Sequence, residues 1–434
     1  MNTIRLLAFA TLLLYAYPFQ DALAQRVAPS TPRGSVTYAA QTAPPDNSAS
    51  ESALSETGRV SAPDSSESEA IPVLELRPYG FIKADASYDD SRTTPGNYIL
   101  FVDRELARRQ DDEFNLTANQ TRLGLNIRET SGLEVKASGK LEIDFYGNYA
   151  DENKAKIQMR HAWFEVFFPG SGISLLAGQT WDVVSPLNPS TVNYTVLWEA
   201  GNIGYRRPQI RLTKTAAIGR AELQVQGAIA RTVGHLAIWE GTSTETGEDN
   251  GYPTLQGRVA VSIPSSRTVA PEIGFSAHYA TEECDTSSTG EHLHFRSWSA
   301  NLDFSMPVTS RISLQSEAFT GSNLSAYLGG IGQGLRTVGD GFGNEIASRG
   351  GWVALYIDTR SAFQFAVGAG VDDVRDADIN PRDRSSNRVL FANGTYALTE
   401  HAGIAVELSH WRTGYLDSEA ADNFRAQTAL TYRF

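Results

Sequence analysis

The chain has 434 residues, with 37 Lys and Arg against 50 Asp and Glu, and the resulting formal charge of -13 leaves no global basic footprint, which speaks against a nucleic-acid partner. A single Cys rules out an intramolecular disulfide and a Cys-rich zinc site. Three Met beside 37 Gly and 17 Tyr lean toward strands and turns rather than a helical bundle.

The first 24 residues read as an export signal, with Arg5 in a positive n-region, an apolar stretch from Leu6 to Tyr17, and a small-residue site for cleavage after Ala24. That apolar run is too short to span a bilayer, and Pro18 ends it. Beyond Gln25 no apolar run reaches about 18 residues, so a mature chain that enters a membrane must do so as a barrel. Residues 25–78 read as a disordered periplasmic arm. From Gln25 to Ala70 the stretch is dominated by Ser, Ala, Pro, Glu and Thr, and it cannot bury enough apolar surface to offset its ordering entropy.

From Tyr79 to Phe434, segments of about 10 to 12 residues alternate apolar and polar with period two, the pattern of an all-β, antiparallel transmembrane barrel. Leu133 to Phe145 is the cleanest case: Leu133, Val135, Ala137, Gly139, Leu141, Ile143 and Phe145 share one face, and Glu134, Lys136, Ser138, Lys140, Glu142 and Asp144 the other. Roughly sixteen segments are expected, beginning near Tyr79, Gln120, Leu133, Lys156, Gly172, Asn202, Ala221, Pro253, Pro271, Leu293, Arg311, Gly350, Ala362, Arg388, Gly403 and Phe424. Short turns are expected after Glu129, Phe168, Thr215, Ser265, Met306, Thr359 and Leu398. Long polar loops follow Asp90, Tyr146, Trp181, Arg231, Ala280, Thr320, Asp373 and Arg412, the asymmetry of periplasmic turns against external loops. Aromatic residues near strand ends, among them Tyr79, Phe81, Phe164, Phe168, Trp298, Trp352, Tyr432 and Phe434, suit interfacial girdles. The last segment, from Asn423, closes on Phe434, which looks like the C-terminal signature that the barrel-assembly machinery reads in bacterial outer-membrane proteins.

Between the fourth and sixth segments the sequence runs Arg160-x-Ala162-Trp163, a Gly-containing turn, Ala177-Gly178-Gln179, a long third loop, then Asn202-x-x-Tyr205 followed by Arg206, Arg207 and Pro208. This resembles the general bacterial porins. The opening strand Tyr79-Gly80-Phe81-Ile82-Lys83-Ala84-Asp85 is more specifically similar to the DcaP-like porins, a trimeric sixteen-stranded branch associated with anionic small solutes. Those porins tend to carry a helical coiled coil before the barrel, where this chain is Ser/Pro-rich and lacks heptads. The resemblance implies that residues 182–201 fold into the lumen as a constriction, offering Asp182 and Glu199. Alternation places Arg122 and Arg128 on the second strand, Lys136 and Lys140 on the third, Arg160 on the fourth, and Arg207 with Arg211 on the sixth, all facing that loop. Pro208 between the last two suggests an edge or bulge. Acidic loop against basic wall would set a transverse field across the pore.

Catalytic readings find little support. His292-x-His294 puts two imidazoles on one strand face, but no carboxylate or third His follows at useful spacing, and Glu291 has the wrong parity. The seven His show no pairing with a nucleophile. Cys284 falls in a predicted external loop among acids that disfavour its thiolate. The sequence therefore points to a non-enzymatic outer-membrane porin without cofactor or metal, a homotrimer in outer-membrane lipid that passes small hydrophilic solutes, carboxylates and other anions preferentially. The alternative is a non-conducting barrel acting as an adhesin or envelope tether.

Overall fold

The computed structural model describes residues 74–434 apart from 105–110, 130–133, 148–154, 235–246, 266–268, 286–291, 340 and 360. The expected signal peptide, most of the expected arm and the turn after Glu129 lie outside the described residues.

Sixteen antiparallel strands close on themselves among the described residues. In chain order they are β1 (Leu74–Asp89), β2 (Glu113–Thr117 and Arg122–Glu129), β3 (Lys136–Asp144), β4 (Gln158–Phe168), β5 (Ile173–Trp181), β6 (Arg206–Ile218), β7 (Ala221–Ala230) and β8 (Thr254–Ser262). The second half comprises β9 (Glu272–Asp285), β10 (His292–Pro307), β11 (Ile312–Ser322), β12 (Ala347–Asp358), β13 (Phe363–Val374), β14 (Arg384–Ala397), β15 (Ala402–Tyr415) and β16 (Ser418–Arg433). The two pieces of β2 both pair with β1 and act as one interrupted strand. Closure comes from β1 against β16, in register from Phe81 opposite Arg433 to Asp89 opposite Arg425. An even-stranded antiparallel barrel leaves no open edge.

Alternation decides the two faces. In β9, Ile273, Phe275 and Tyr279 are exposed on the outside, while Gly274, Ser276 and His278 are buried inside. The same inversion recurs in Leu302 of β10, Leu390 of β14 and Leu430 of β16, all exposed. A surface this apolar is matched to hydrocarbon rather than to water. Phe168, Phe363, Phe365, Tyr396, Tyr432 and Phe434 are exposed near the short-turn end, and Tyr279 faces out beside its ladder partner Trp298 farther up the wall. Tyr79 and Trp352 do not belong to these belts. Both turn inward, Tyr79 donating its hydroxyl to Glu142 and Trp352 its indole N–H to Glu317.

The C-terminus is sewn into the seam. Gly80 and Phe434 exchange both backbone hydrogen bonds, at 3.0 and 3.1 Å. A Cβ at Gly80 would stand 2.4 Å from the Arg122 carbonyl oxygen and 2.9 Å from Phe434 Cζ, so only glycine lets the terminal ring lie there.

Three sequence expectations need correction. β1 begins at Leu74, inside the stretch assigned to the arm. The long loop expected after Arg412 is instead a two-residue turn, Leu416 and Asp417, with Asp417 at φ 54 between β15 and β16. Where a loop was expected after Ala280, β9 continues through Asp285, so Cys284 lies within it and is buried beside Phe295 and Leu335. The physical reason is shared: backbone ladders continue past the hydrocarbon boundary, where hydrophobic alternation no longer marks the strand. Arg412 and Asp422, directly opposite in β15 and β16, pair at 2.8 Å in such an extension.

Three loops fold into the external half of the barrel. A small hairpin after β1 (Thr93–Pro95 with Ile99–Val102), the loop of residues 182–205, and the loop of residues 323–346 bury Leu100, Tyr194, Trp198, Leu328 and Ile331 in one apolar cluster. Only the second of these was expected inside.

Candidate functional site: the inward loop and the basic wall

Loop 182–205 follows the inner wall and is fastened strand by strand. Its backbone N–H groups donate to wall side chains: Val183 to Gln256 of β8 at 3.0 Å, Leu187 to Glu317 of β11 at 2.7 Å, Ser190 to Tyr356 of β12 at 3.2 Å, and Val192 to Glu407 of β15 at 2.7 Å. Asn387 and Asn393 of β14 donate back to the Glu199 and Ser190 carbonyls, and Lys83 of β1 reaches the Val192 carbonyl at 2.9 Å. Irregular backbone inside a barrel must have its polar groups satisfied, and the buried Glu317 and Glu407 serve that need. Val196, Leu197 and Glu199 hold left-handed φ values of 46, 63 and 61, which such residues adopt only when their surroundings over-determine the backbone.

Where the loop's Tyr194 donates its hydroxyl to Asp144 at 3.2 Å, Glu142 of β3 is the hub of a cationic network. It accepts Tyr79 Oη at 2.7 Å and Arg160 Nε at 2.8 Å, with Arg122 Nε at 3.4 Å and Lys140 Nζ at 3.6 Å. Arg160 also binds Asp144 at 2.6 Å. A β-bulge aims both Arg160 and His161 inward: the register slips between Glu142 and Ile143, so two successive β4 residues face the lumen. His161 was not anticipated there, because strict alternation sends it to the lipid side. Its Nδ1 lies 3.1 Å from Thr180 Oγ1 and its Nε2 3.8 Å from Glu142.

The expected site residues separate into two groups. Arg122 and Lys140 keep 18% and 28% of their side-chain surface open, and Lys136 and Arg128 are exposed toward the short-turn end. Arg160, Arg207, Asp182 and Glu199 are buried instead. Arg207 Nε lies 2.8 Å from Asp182 Oδ1, with its guanidinium 3.9 Å from the Tyr327 ring centroid. Asp182 further accepts the Tyr205 N–H at 3.0 Å and the Gln256 amide at 2.6 Å. Arg211 shares Arg207's parity; it donates to Gln209 at 3.0 Å and to the Trp181 carbonyl. The register runs unbroken through Pro208, so no bulge resets β6. The acidic side of the expected transverse field is therefore turned into the protein: Asp182 is consumed by an ion pair. Glu199, fully buried with neither carboxylate oxygen hydrogen-bonded, is pushed by desolvation up to about 8, a rise that Arg384 opposes.

One buried inward-loop neighbour escaped sequence reasoning. Arg206 is buried at the base of the loop, 4.6 Å from the Trp181 ring centroid, 4.7 Å from Tyr205 and 5.9 Å from Trp198. Among the described residues neither of its Nη atoms has a hydrogen-bond partner, and neither does Trp198 Nε1. The only signal was compositional, two Trp and a Tyr bracketing the inward loop. Cation–π contacts attract a guanidinium but leave its N–H groups without acceptors.

No protein-family model matches the chain, and no curated protein matches it either. Among solved structures it is similar to the outer membrane channel DcaP of Acinetobacter baumannii, at 18% identity over 83% of this chain and 97% of that chain, with a TM-score of 0.65. It is also similar to an anion-selective porin from Comamonas acidovorans, at 12% identity over 83% of this chain and 100% of that one, with a TM-score of 0.53. Salmonella typhi OmpF, in complex with daunomycin, gives 11% identity, 83% and 97% coverage and a TM-score of 0.51. The chain shares its fold with these structures.

Proposed function

We propose that the protein is an outer-membrane porin, a water-filled barrel that lets small hydrophilic solutes diffuse passively and favours anions such as carboxylates. The observation that carries this reading is the loop of residues 182–205, fastened along the inner wall, together with Arg122 and Lys140, wall cations that retain solvent exposure. A constriction selects by the fixed charge at the point where a solute sheds water. On this wall Arg122, Arg128, Lys136 and Lys140 keep exposure beside the partly exposed Glu165, and Arg206 adds a buried positive charge with no acidic partner among the described residues. Arg160, Arg207 and Arg211 hold the wall and the loop in place. Likeness to solved channels supports an outer-membrane location and a trimeric channel; export by a cleaved signal peptide, assembly through Phe434 and the lack of a catalytic step rest on the sequence reading.

The packing of three loops into the external mouth is what would favour a non-conducting adhesin or tether. Planar-bilayer recording of the full-length protein decides between them. Stepwise conductance in threes is expected, with a reversal potential of anionic sign in a salt gradient; a protein that inserts without conducting removes the porin reading.

A further inference from the structure

Within its own strand His292-x-His294 lacks a third ligand, but the neighbouring strand supplies two. In the β9–β10 ladder Asp285 lies opposite His292 and Glu283 opposite His294. All four share parity with Tyr279 and Trp298, so they stand on the outer face of the barrel, beyond those aromatics and next to the long-loop rim. His292 Nδ1 is 2.7 Å from Glu283 Oε1 and 2.8 Å from Asp285 Oδ1, and one donor atom from each of the three residues falls within 4.8 Å of the others.

Two carboxylates thus converge on one ring nitrogen, which carries at most one proton to share. A divalent cation in the place of that proton would engage all three donors. Zinc takes nitrogen and oxygen ligands at about 2.0–2.2 Å, which sets neighbouring ligand atoms about 3.3 Å apart in a tetrahedron. The two His292–carboxylate separations need to open by about half an ångström, at the ends of side chains of which His292 and Asp285 are exposed. The backbone positions are already fixed by the cross-strand register, so binding orders little that is not ordered. Asp249 lies close enough to His292 to add negative potential. One imidazole with two carboxylates suits a borderline cation, whereas calcium asks for six to eight oxygens.

We propose that Glu283, Asp285 and His292 form a zinc-class divalent-cation site on the outer rim, which clamps the external ends of β9 and β10, with water in the fourth position. The site is independent of the pore. Full-length protein without a histidine tag, refolded in detergent, is titrated calorimetrically with Zn²⁺ in a non-chelating buffer, and with Co²⁺ as a spectroscopic probe. One equivalent per chain is expected, with tetrahedral Co²⁺ bands. His292→Ala and Glu283→Gln should each weaken binding at least tenfold, while His401→Ala, at the opposite end of the barrel, should not. Stoichiometric binding that survives both His292→Ala and Glu283→Gln, or wild-type protein that takes up no stoichiometric Zn²⁺, overturns the site. Conductance with and without EDTA should be the same, so failure here is distinguishable from failure of the porin reading.

Discussion

Two of the arginine–carboxylate networks on the lumen wall look alike on paper and differ in balance. Around Asp182 the pairing is one to one: Arg207 and Asp182 expose 1% and 0% of their side chains and lie beneath the Tyr327 ring. Around Glu142 three cations, Arg122, Lys140 and Arg160, share Glu142 and Asp144, and the surplus sits on the two cations that remain partly open. A sealed, balanced pair fixes structure and offers a passing solute nothing. An unbalanced, half-open one leaves a charge for a solute to feel. Counting inward arginines therefore overstates how many act on transport, and exposure together with the local carboxylate count separates the roles.

The strongest way to break this comparison is Asp182→Ala. Removing one partner of a buried pair costs about 3–5 kcal/mol because the other charge stays buried. Here it also strips the Tyr205 N–H and the Gln256 amide of their acceptor. A clear drop in the temperature at which the folded barrel unfolds on a gel is expected, with noisy single-channel current as the loop loosens. Unchanged stability would mean that the pair is not structural.

The reciprocal test is the double variant Arg122→Ala with Lys140→Ala. It should leave thermal unfolding nearly unaltered while lowering the anion-to-cation permeability ratio severalfold, read from the reversal potential. A ratio that stays put places the selectivity elsewhere, and Arg206 is then the next residue to neutralise.

The smallest effect concerns pH. Glu199 keeps its proton in the folded chain up to about 8, whereas an unfolded glutamate releases it at about 4.3. The folded state thus holds the extra proton across that window, and its stability falls as pH rises through it, levelling off above the folded value. Current noise from the wild type should grow from about pH 4.3 to about pH 8 and change little above that. Glu199→Gln, which removes the titration, should flatten that dependence; a slope equal to the wild type's would show that another group is responsible.

Much of the barrel was legible before any coordinates. Strand starts near Ala221, Pro253, Pro271, Leu293, Arg311, Ala362 and Gly403 fall within one residue of the observed Ala221, Thr254, Glu272, His292, Ile312, Phe363 and Ala402. The errors gather where alternation stops being enforced by lipid: at Leu74, in the polar top of β9 through Cys284, and at the turn of Leu416 and Asp417. In the site, parity assigned Arg122, Lys140, Arg160, Arg207 and Arg211 to the lumen side, but parity says nothing of burial. Asp182 and Glu199 lie in an inward loop with no period to read, His161 was turned inward by a bulge, and Glu283 with Asp285 reached His292 from a different strand.

The sequence by itself determined the architecture: a two-residue period meets lipid on one face and the lumen on the other, and that constraint is local and repeated in every strand. Only the tertiary structure decided which charges are free. Whether an arginine faces solute or is sealed against a carboxylate depends on residues tens to hundreds of positions away, brought together by register, bulges and loops that fold inward. Periodicity carries a side chain's direction; its partner is a property of the closed barrel.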